Sequence, residues 1–122
     1  MSIIFSQIHY MKYIKEKDPI YLKIKKNHNY VIFYSEWCHW SMEAVKLLKK
    51  NKVKCKGYII DKIDGGLPFL LTRLGKNKKE LKFSDNHRTR PLIFKDGIFI
   101  GGHDALVDHF KNINSKINKK DF

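Results

Sequence analysis

The side chains of this sequence that can carry out redox chemistry are its two cysteines, Cys38 and Cys55. Cys38 follows the apolar run Tyr30–Tyr34 and stands where the apolar periodicity becomes helical. A sulfur at a helix N-terminus faces unpaired backbone N–H groups and the positive end of the helix dipole, and both lower a thiol pKa. Because the thiolate is the attacking species in thiol–disulfide exchange, we predict a reactive rather than a structural Cys38.

Ser41 stands where a Cys-x-x-Cys pair would place its second sulfur. Without that thiol, Cys38 cannot resolve a mixed disulfide within the site and must exchange with an outside thiol. Ser41 either donates a hydrogen bond to the thiolate or is a solvated serine of the first helical turn, and the sequence leaves both open. Cys55, between two lysines at a predicted strand start, is expected to point inward and not to resolve the disulfide.

His39 lies directly beside the predicted reactive sulfur. A histidine here can donate a proton to a leaving thiolate or, when charged, favour the thiolate form of Cys38. It can equally be an exposed side chain without a role, and both interpretations stay open. The cysteines and histidines lack the Cys-x-x-Cys or paired-histidine spacing of a zinc site, so we predict no metal ligands.

The elements that would position Cys38 follow from the apolar pattern. Residues 3–16 indicate a helix, and residues 20–26 either a short helix or extended chain. The run Tyr30–Tyr34 predicts a strand buried on both faces. Residues 38–50 then predict an amphipathic helix, and residues 53–61 a second strand parallel to the first.

The second half of the chain predicts helices around a hairpin. A short helix over residues 69–74 is expected to break at Gly75 and to resume over residues 78–83. Asp96-Gly97 between two short apolar runs is a strong hairpin signal, and residues 103–117 predict a last helix. The order predicts an α/β fold in which a four-stranded mixed sheet is flanked by helices on both faces.

Composition limits the classes of function. The 122 residues, 43% of them hydrophobic, suffice for one domain, and no apolar run approaches the roughly 18 residues of a membrane span. Two cysteines and no signal-peptide pattern predict a reducing, cytoplasmic location without a membrane partner. The net charge of +13 favours anionic partners, but the lysines are scattered among Asn and Ile, as an AT-rich parasite or large-virus genome would produce. We therefore do not expect nucleic acid as the partner.

Four segments have the order and spacing of one known family: residues 34–38, 89–91, 95–97 and 100–104. The first resembles the approach to a thioredoxin-family active site, and the others resemble the Thr-x-Pro, turn and Gly-Gly-x-Asp of glutaredoxins. The resemblance covers residues 30 to about 110 and is of the monothiol Cys-x-x-Ser type. It implies a thioredoxin fold, with a domain over residues 30–117, an extension or altered first helix over 1–29, and a tail over 118–122.

The resemblance also implies roles for residues of a glutathione site. Pro91 matches the cis-proline that faces the reactive sulfur, which frees the backbone of Arg90 to pair with the cysteine of glutathione. Gly102, His103 and Asp104 match the loop and helix start that bind the γ-glutamyl end. Elementary electrostatics agrees, since a helix N-terminus binds a carboxylate and Asp104 can pair with the ligand's ammonium group, although it can also serve as a plain helix cap.

The resemblance also implies roles for Lys78 and Trp40, and the sequence departs from the glutaredoxin pattern at two places. Lys78 matches a polar or basic position for the glycyl carboxylate, and Trp40 either forms a wall for the glutathione peptide or packs on the neighbouring helix. Many glutaredoxins carry a lysine shortly before the reactive cysteine, whereas this chain has Ser-Glu-Trp there. Glu36 would repel a carboxylate, and Lys78 would have to compensate. The motif Cys-His-Trp-Ser also differs from the Cys-Gly-Phe-Ser of iron–sulfur carriers.

Three functions are consistent with these residues. The first is a glutathione-dependent monothiol oxidoreductase that uses Cys38 to reduce glutathionylated or disulfide-bonded client proteins, with glutathione as co-substrate. The second is a dimeric carrier of a 2Fe–2S cluster, bridged by two Cys38 thiolates and two glutathiones. The third is a non-catalytic basic interaction module. We rank the enzyme first, because bulky residues follow Cys38 where the cluster carriers have Gly-Phe.

Overall fold

A four-stranded mixed sheet organises the chain. The computed structural model describes residues 19–26 and 29–120, with side chains described as far as residue 114. The strands lie in the order β2-β1-β3-β4, in which β1 and β2 are parallel and the other neighbours antiparallel. They are β1 (Tyr30–Tyr34), β2 (Cys55–Ile59), β3 (Leu92–Lys95) and β4 (Ile98–Gly101).

Five α-helices of the described residues cover the two faces of this sheet, as the sequence predicts. They are α1 (Ile20–Lys25), α2 (His39–Lys50), α3 (Gly66–Lys76), α4 (Lys78–Leu81) and α5 (His103–Lys120). A single 3₁₀ turn, Ile60–Lys62, follows β2. Apolar side chains of α2 and α5 share one core on one face, and those of α1, α3 and α4 share a second core on the other.

The central strand β1 contributes to both cores at once. Its five residues are all buried, and successive side chains of a strand point to opposite faces. Val31 and Phe33 enter the core below α1, α3 and α4, whereas Tyr30, Ile32 and Tyr34 enter the core below α2 and α5. Because burial of each large apolar side chain stabilises the fold by roughly 1.5–3 kcal/mol, β1 is held firmly in place.

The segment after β2 corrects one prediction. Gly75 does not interrupt the helix, because α3 continues through it to Lys76 and the chain leaves helical geometry at Asn77, with φ −120° and ψ 32°. Leu70 and Leu74 of α3 are fully buried, and their burial offsets the roughly 1 kcal/mol or less by which a glycine in the last turn disfavours the helix. The helix resumes as α4, as predicted, but ends at Leu81.

The described part of the N-terminal region includes one helix. Residues 20–25, for which the sequence leaves two conformations open, form the helix α1. Ile20 and Ile24 of this helix are buried in the core with α3. The predicted helix over residues 3–16 lies outside the described residues.

The β3–β4 hairpin confirms the Asp-Gly signal. Asp96 and Gly97 have φ values of 53° and 79° and connect the paired residues Lys95 and Ile98. Positive φ at both central residues defines the type I′ turn, which matches the right-handed twist of the flanking strands. The hairpin brings the end of β4 and the start of α5 next to the segment that precedes β3.

A substitution of Gly101, the last residue of β4, tests the geometry assigned to the junction between β4 and α5. Its φ is +135°, and a Cβ there would lie 2.7 Å from the Cβ of Ala105. We expect Gly101→Ala to lower the free energy of unfolding in urea by about 1–3 kcal/mol, through backbone strain and this clash.

Gly75→Ala is the matched control for the glycine prediction. Gly75 is helical, and the nearest atom to its added Cβ would be Asp85 Oδ1 at 4.0 Å. This substitution should therefore raise the free energy of unfolding by about 0.5–1 kcal/mol. Equal effects of the two substitutions would contradict the geometry assigned to Gly101.

Candidate active site

Cys38 occupies the junction between β1 and α2. It is the N-cap residue of α2, with φ −92° and ψ 120°, and its carbonyl accepts the first helical hydrogen bond from Met42 N–H at 3.0 Å. Its own N–H donates to the carbonyl of Ser35 at 3.1 Å, which fixes the turn before the helix. The thiol is free and partly exposed, so the sulfur predicted at a helix start is also accessible.

Ser41 is fully buried, and this excludes the solvated serine that the sequence leaves open. Its Oγ accepts a hydrogen bond from the backbone N–H of Ser35 at 3.2 Å. Since a hydroxyl accepts through its lone pairs and donates through its single proton, that proton remains available to the sulfur of Cys38. The buried residues of α2 are Ser41, Ala44, Val45 and Leu48, and this helical spacing is the sequence signal that places Ser41 inside.

The environment of Cys38 lowers the pKa of its thiol. Partial burial is the largest single influence and acts to raise that pKa. The hydrogen bond from the Ser41 hydroxyl, those from the backbone N–H groups of Ser41 and Trp40, and the positive charge of Arg90 together outweigh it. The result is a larger thiolate fraction at neutral pH than an ordinary cysteine has.

Cys55 has the opposite environment. It is the first residue of β2 and lies in the core below α2 and α5, as predicted. Burial raises its pKa far above the usual range, and its Sγ lies 3.8 Å from the carbonyl oxygen of Lys56. Cys55 therefore stays a protonated thiol and is not a nucleophile.

A cavity of about 280 Å³ lies beside the reactive sulfur, and we call it the Pro91 cavity. The backbone N–H of Trp40 donates to the Cys38 sulfur while Trp40 itself lines the cavity, which places the two side by side. The Arg90–Pro91 peptide bond is cis. The lining residues are Trp40, His87, Thr89, Arg90, Pro91, Gly102, His103, Asp104 and Ala105.

All of the predicted glutathione-binding residues except Lys78 line the Pro91 cavity. Lys78 is exposed on α4, and its Nζ lies 2.8 Å from Asp85 Oδ2. Its assignment to the glycyl carboxylate therefore receives no support from the cavity lining and stays a prediction. The predicted residue His39 is exposed next to Cys38, and its ring lies 4.9 Å from that of Trp40.

The rim of the cavity is formed by α5 and by the indole of Trp40. Trp40 is 54% exposed, and its ring centroid lies 5.0 Å from that of His103. His103 is the first residue of α5, and its Nδ1 lies 3.1 Å from Asp104 Oδ1. Trp40 thus contacts a residue of the neighbouring helix and still presents more than half of its surface to solvent.

The structure adds residues that the sequence reasoning missed. His87 lines the cavity, and its Nε2 lies 3.2 Å from the carbonyl oxygen of Pro91. Trp37 donates from Nε1 to Asp61 Oδ2 at 3.0 Å, and the guanidinium carbon of Arg90 lies 4.6 Å from the Trp37 ring centroid. A lone loop histidine gives no sequence signal, but an exposed tryptophan immediately before Cys38 could have been singled out.

Three other kinds of feature in the described residues could indicate a function: a further cavity, a metal-binding cluster or a membrane-spanning helix. A larger cavity of about 520 Å³ lies around Lys23, Lys56 and Tyr58. Cys38 itself lines neither cavity, but Trp40 and Arg90, which act on its sulfur, line the Pro91 cavity and not the larger one. Within residues 19–26 and 29–120, no cluster of three or more His, Cys, Asp or Glu side chains could hold a metal ion. No helix in the same part of the chain has the length and apolar character of a membrane span.

The fold and the site define a thiol redox protein of the thioredoxin fold, in which a cysteine with a lowered thiol pKa ends the turn after the central strand. No family-level sequence profile matches the chain. A curated protein of Acanthamoeba polyphaga mimivirus, described as a probable glutaredoxin, is 36% identical over 80 residues, which are 66% of this chain and 76% of that protein. The chain belongs to the glutaredoxin family, whose members are thiol oxidoreductases.

Solved structures agree with this assignment. The dithiolic glutaredoxin 2-C-Grx1 of Trypanosoma brucei brucei is 30% identical with a TM-score of 0.61, over 76% of this chain and 87% of that one. The buckwheat glutaredoxin–glutathione complex is 16% identical with a TM-score of 0.62, over 92% of this chain and 86% of that one. The second likeness shows the shared fold alone.

Removal of the Ser41 hydroxyl tests the origin of the low pKa of Cys38. Because a hydrogen bond to a charged group contributes about 1.5 kcal/mol, Ser41→Ala should raise the thiol pKa by about one unit. In a Cys55→Ser background, the midpoint of the pH profile of iodoacetamide alkylation should move to higher pH, since less thiolate then exists at any given pH.

The control for this prediction is Ser84→Ala. Ser84 is an exposed loop residue whose Oγ accepts from Asn86 N–H, away from the thiol. This variant should leave the midpoint where the parent protein has it. An unchanged midpoint in Ser41→Ala would show that Ser41 does not stabilise the thiolate.

Proposed function

We propose that this protein is a glutathione-dependent monothiol oxidoreductase that reduces protein–glutathione mixed disulfides through Cys38. The observation that carries the proposal is the partly exposed, low-pKa thiol of Cys38 beside the Pro91 cavity. Ser41 stands at the position of a second thiol, and the remaining cysteine, Cys55, is buried. The site therefore has a nucleophile and no internal resolving group.

In the first step, the Cys38 thiolate attacks the glutathionyl sulfur of the mixed disulfide. The bond between Cys38 and that sulfur forms as the original disulfide breaks, and the client leaves as a thiolate that takes up a proton. The exposed His39, next to Cys38 in the chain, would supply that proton in its charged form.

In the second step, the thiolate of another glutathione attacks the glutathione sulfur bound to Cys38. Oxidised glutathione leaves, and Cys38 returns as a thiolate that Ser41 stabilises by its hydrogen bond. A stabilised thiolate is also a good leaving group, so the same interaction assists both steps. The net reaction converts the mixed disulfide and one glutathione into the client thiol and oxidised glutathione.

The Pro91 cavity is our proposed glutathione site. The N-terminus of α5 favours the α-carboxylate of the γ-glutamyl group, and the exposed Asp104 can pair with the ammonium group. The backbone of Arg90 before Pro91 would pair with the cysteine of glutathione, and the exposed Trp40 ring would cover the peptide. A buckwheat relative of the same fold has been crystallised with glutathione, which supports this use of the fold.

The setting of the reaction follows from its reductant. Glutathione-dependent exchange requires a reducing compartment, so we propose that the protein acts in the cytoplasm on glutathionylated or disulfide-bonded client proteins. A mimivirus protein is among its relatives, and the host-cell cytoplasm would be that compartment for a viral protein.

Cysteine variants test the proposal through glutathione-dependent reduction of a glutathionylated peptide. Cys38→Ser should reduce the rate to the uncatalysed background, because the nucleophile is lost. Cys55→Ser should keep kcat/KM within about twofold, since a buried protonated thiol takes no part in exchange.

Three outcomes would contradict the proposal. Loss of activity in Cys55→Ser with retention of fold would indicate a two-cysteine mechanism. An inactive wild type that turns brown on anaerobic reconstitution with iron and sulfide would support a 2Fe–2S carrier instead. An inactive wild type that stays colourless would leave a non-catalytic interaction module.

A further inference from the structure

Arg90 places a guanidinium beside Cys38, and the mechanism above uses only the backbone of this residue. Its positive charge acts on the Cys38 sulfur, and the residue lines the Pro91 cavity. Its Nε is buried without a hydrogen-bond partner in the described part of the chain. A buried N–H without a partner is costly, so this guanidinium is not committed to any acceptor in the described residues.

The indole of Trp37 holds this guanidinium in place. Trp37 is anchored by the 3.0 Å hydrogen bond from Nε1 to Asp61, and Arg90 lies over its ring at 4.6 Å. A stacked guanidinium uses its flat face for the cation–π contact, while its N–H donors point outward in the plane. The contact with the ring leaves the N–H donors free for another acceptor, since no hydrogen bond or ion pair of the Arg90 guanidinium is found within the described residues.

The charged side chains that line the cavity are few. Of the lining residues, Arg90 is the only Lys or Arg, and Asp104 is the only carboxylate. Glu36, two residues before Cys38, is exposed, and Asp61 is engaged with Trp37. The Cys38 side of the cavity thus has Arg90 as its cation, although the sequence carries no lysine just before the cysteine.

We propose that the guanidinium of Arg90, held by Trp37, binds a carboxylate of the disulfide substrate next to the sulfur under attack. The inference rests on the proposed function and names the substrate feature that this site selects. Two sources share the required chemistry: the glycyl carboxylate of glutathione, and an acidic side chain beside the client's cysteine. Planar N–H donors suit a carboxylate better than a lysine ammonium group does.

A pair of alkylating reagents tests the proposal without glutathione. Iodoacetate carries a carboxylate and iodoacetamide does not, and both react with the same thiolate. The ratio of their rates on Cys38, measured in a Cys55→Ser background, therefore cancels any change in thiol pKa. Arg90→Gln should lower the iodoacetate-to-iodoacetamide ratio by about three- to tenfold, as loss of one partly exposed charge pair implies.

Two variants make this measurement decisive. Arg88→Gln removes an equal charge from an exposed residue outside the cavity, and it should change the ratio by less than about twofold because distant charges are screened. Arg90→Lys keeps the charge and should recover part of the ratio, which would exclude misfolding as the cause. An unchanged ratio in Arg90→Gln, or an equal fall in Arg88→Gln, overturns the proposal.

Substrate pairs then distinguish the two sources of the carboxylate. One pair is a glutathionylated peptide and its glycyl ethyl ester, and the other has Glu or Gln beside the peptide cysteine. In the pair that contains the carboxylate bound by Arg90, the wild-type protein should have a several-fold lower KM for the substrate with the free carboxylate than for its uncharged counterpart. Arg90→Gln should abolish this difference in KM and leave kcat largely unchanged. No Arg90-dependent difference in either pair overturns the proposal, whereas absence of all turnover would contradict only the proposed function.

Discussion

The position of β1 at the centre of the sheet is the constraint on which the reactive site depends. Its side chains enter two separate cores on opposite faces of the sheet. A shift of β1 by one residue in its register would therefore move each of these side chains to the opposite core. The strand ends at Tyr34, and the short turn to the N-cap of α2 leaves little freedom for Cys38. The accessible sulfur is thus fixed by burial of the strand that precedes it.

Among the groups that lower the thiol pKa of Cys38, the hydroxyl of Ser41 contributes most. Ser41 lies on the core face of α2, where water cannot satisfy it, and it accepts from the backbone of Ser35. The hydroxyl that would otherwise be costly to bury becomes a donor aimed at Cys38. Cys55 shows the contrast: a thiol buried among apolar side chains, without such donors, keeps its proton. The same residue type has opposite reactivity at the two positions because of these surroundings.

Short-range patterns account for the parts of the fold that could be predicted. The β-branched run of β1, the change of period at Cys38 and the Asp96-Gly97 turn each involve neighbours in sequence. The break near Gly75 was wrongly placed, because burial of Leu70 and Leu74 overrides the weak preference of glycine. Propensity decides a boundary only where packing leaves the choice open.

The contacts that could not be predicted either connect residues far apart in the chain or lie in a loop that has no periodic pattern. Trp37 meets Asp61 and Arg90 only because the turn before α2 lies beside both the 3₁₀ turn after β2 and the segment before β3. His87 reaches the cavity through its contact with the Pro91 carbonyl, which no local pattern announces. The resemblance to glutaredoxins places Trp40, Arg90, Pro91, Gly102, His103 and Asp104 in one site, and all six line the Pro91 cavity. Their roles toward glutathione stay predictions, as does that of Lys78, whose Nζ pairs with Asp85.

The most direct test of the account is to trap the intermediate on the protein. Wild-type protein would be incubated with a glutathionylated peptide in the absence of free glutathione, quenched in acid and analysed by mass spectrometry with peptide mapping. We predict one glutathione in disulfide linkage to Cys38, with release of an equal amount of peptide thiol. A glutathione on Cys55, or none on the protein, would contradict the account.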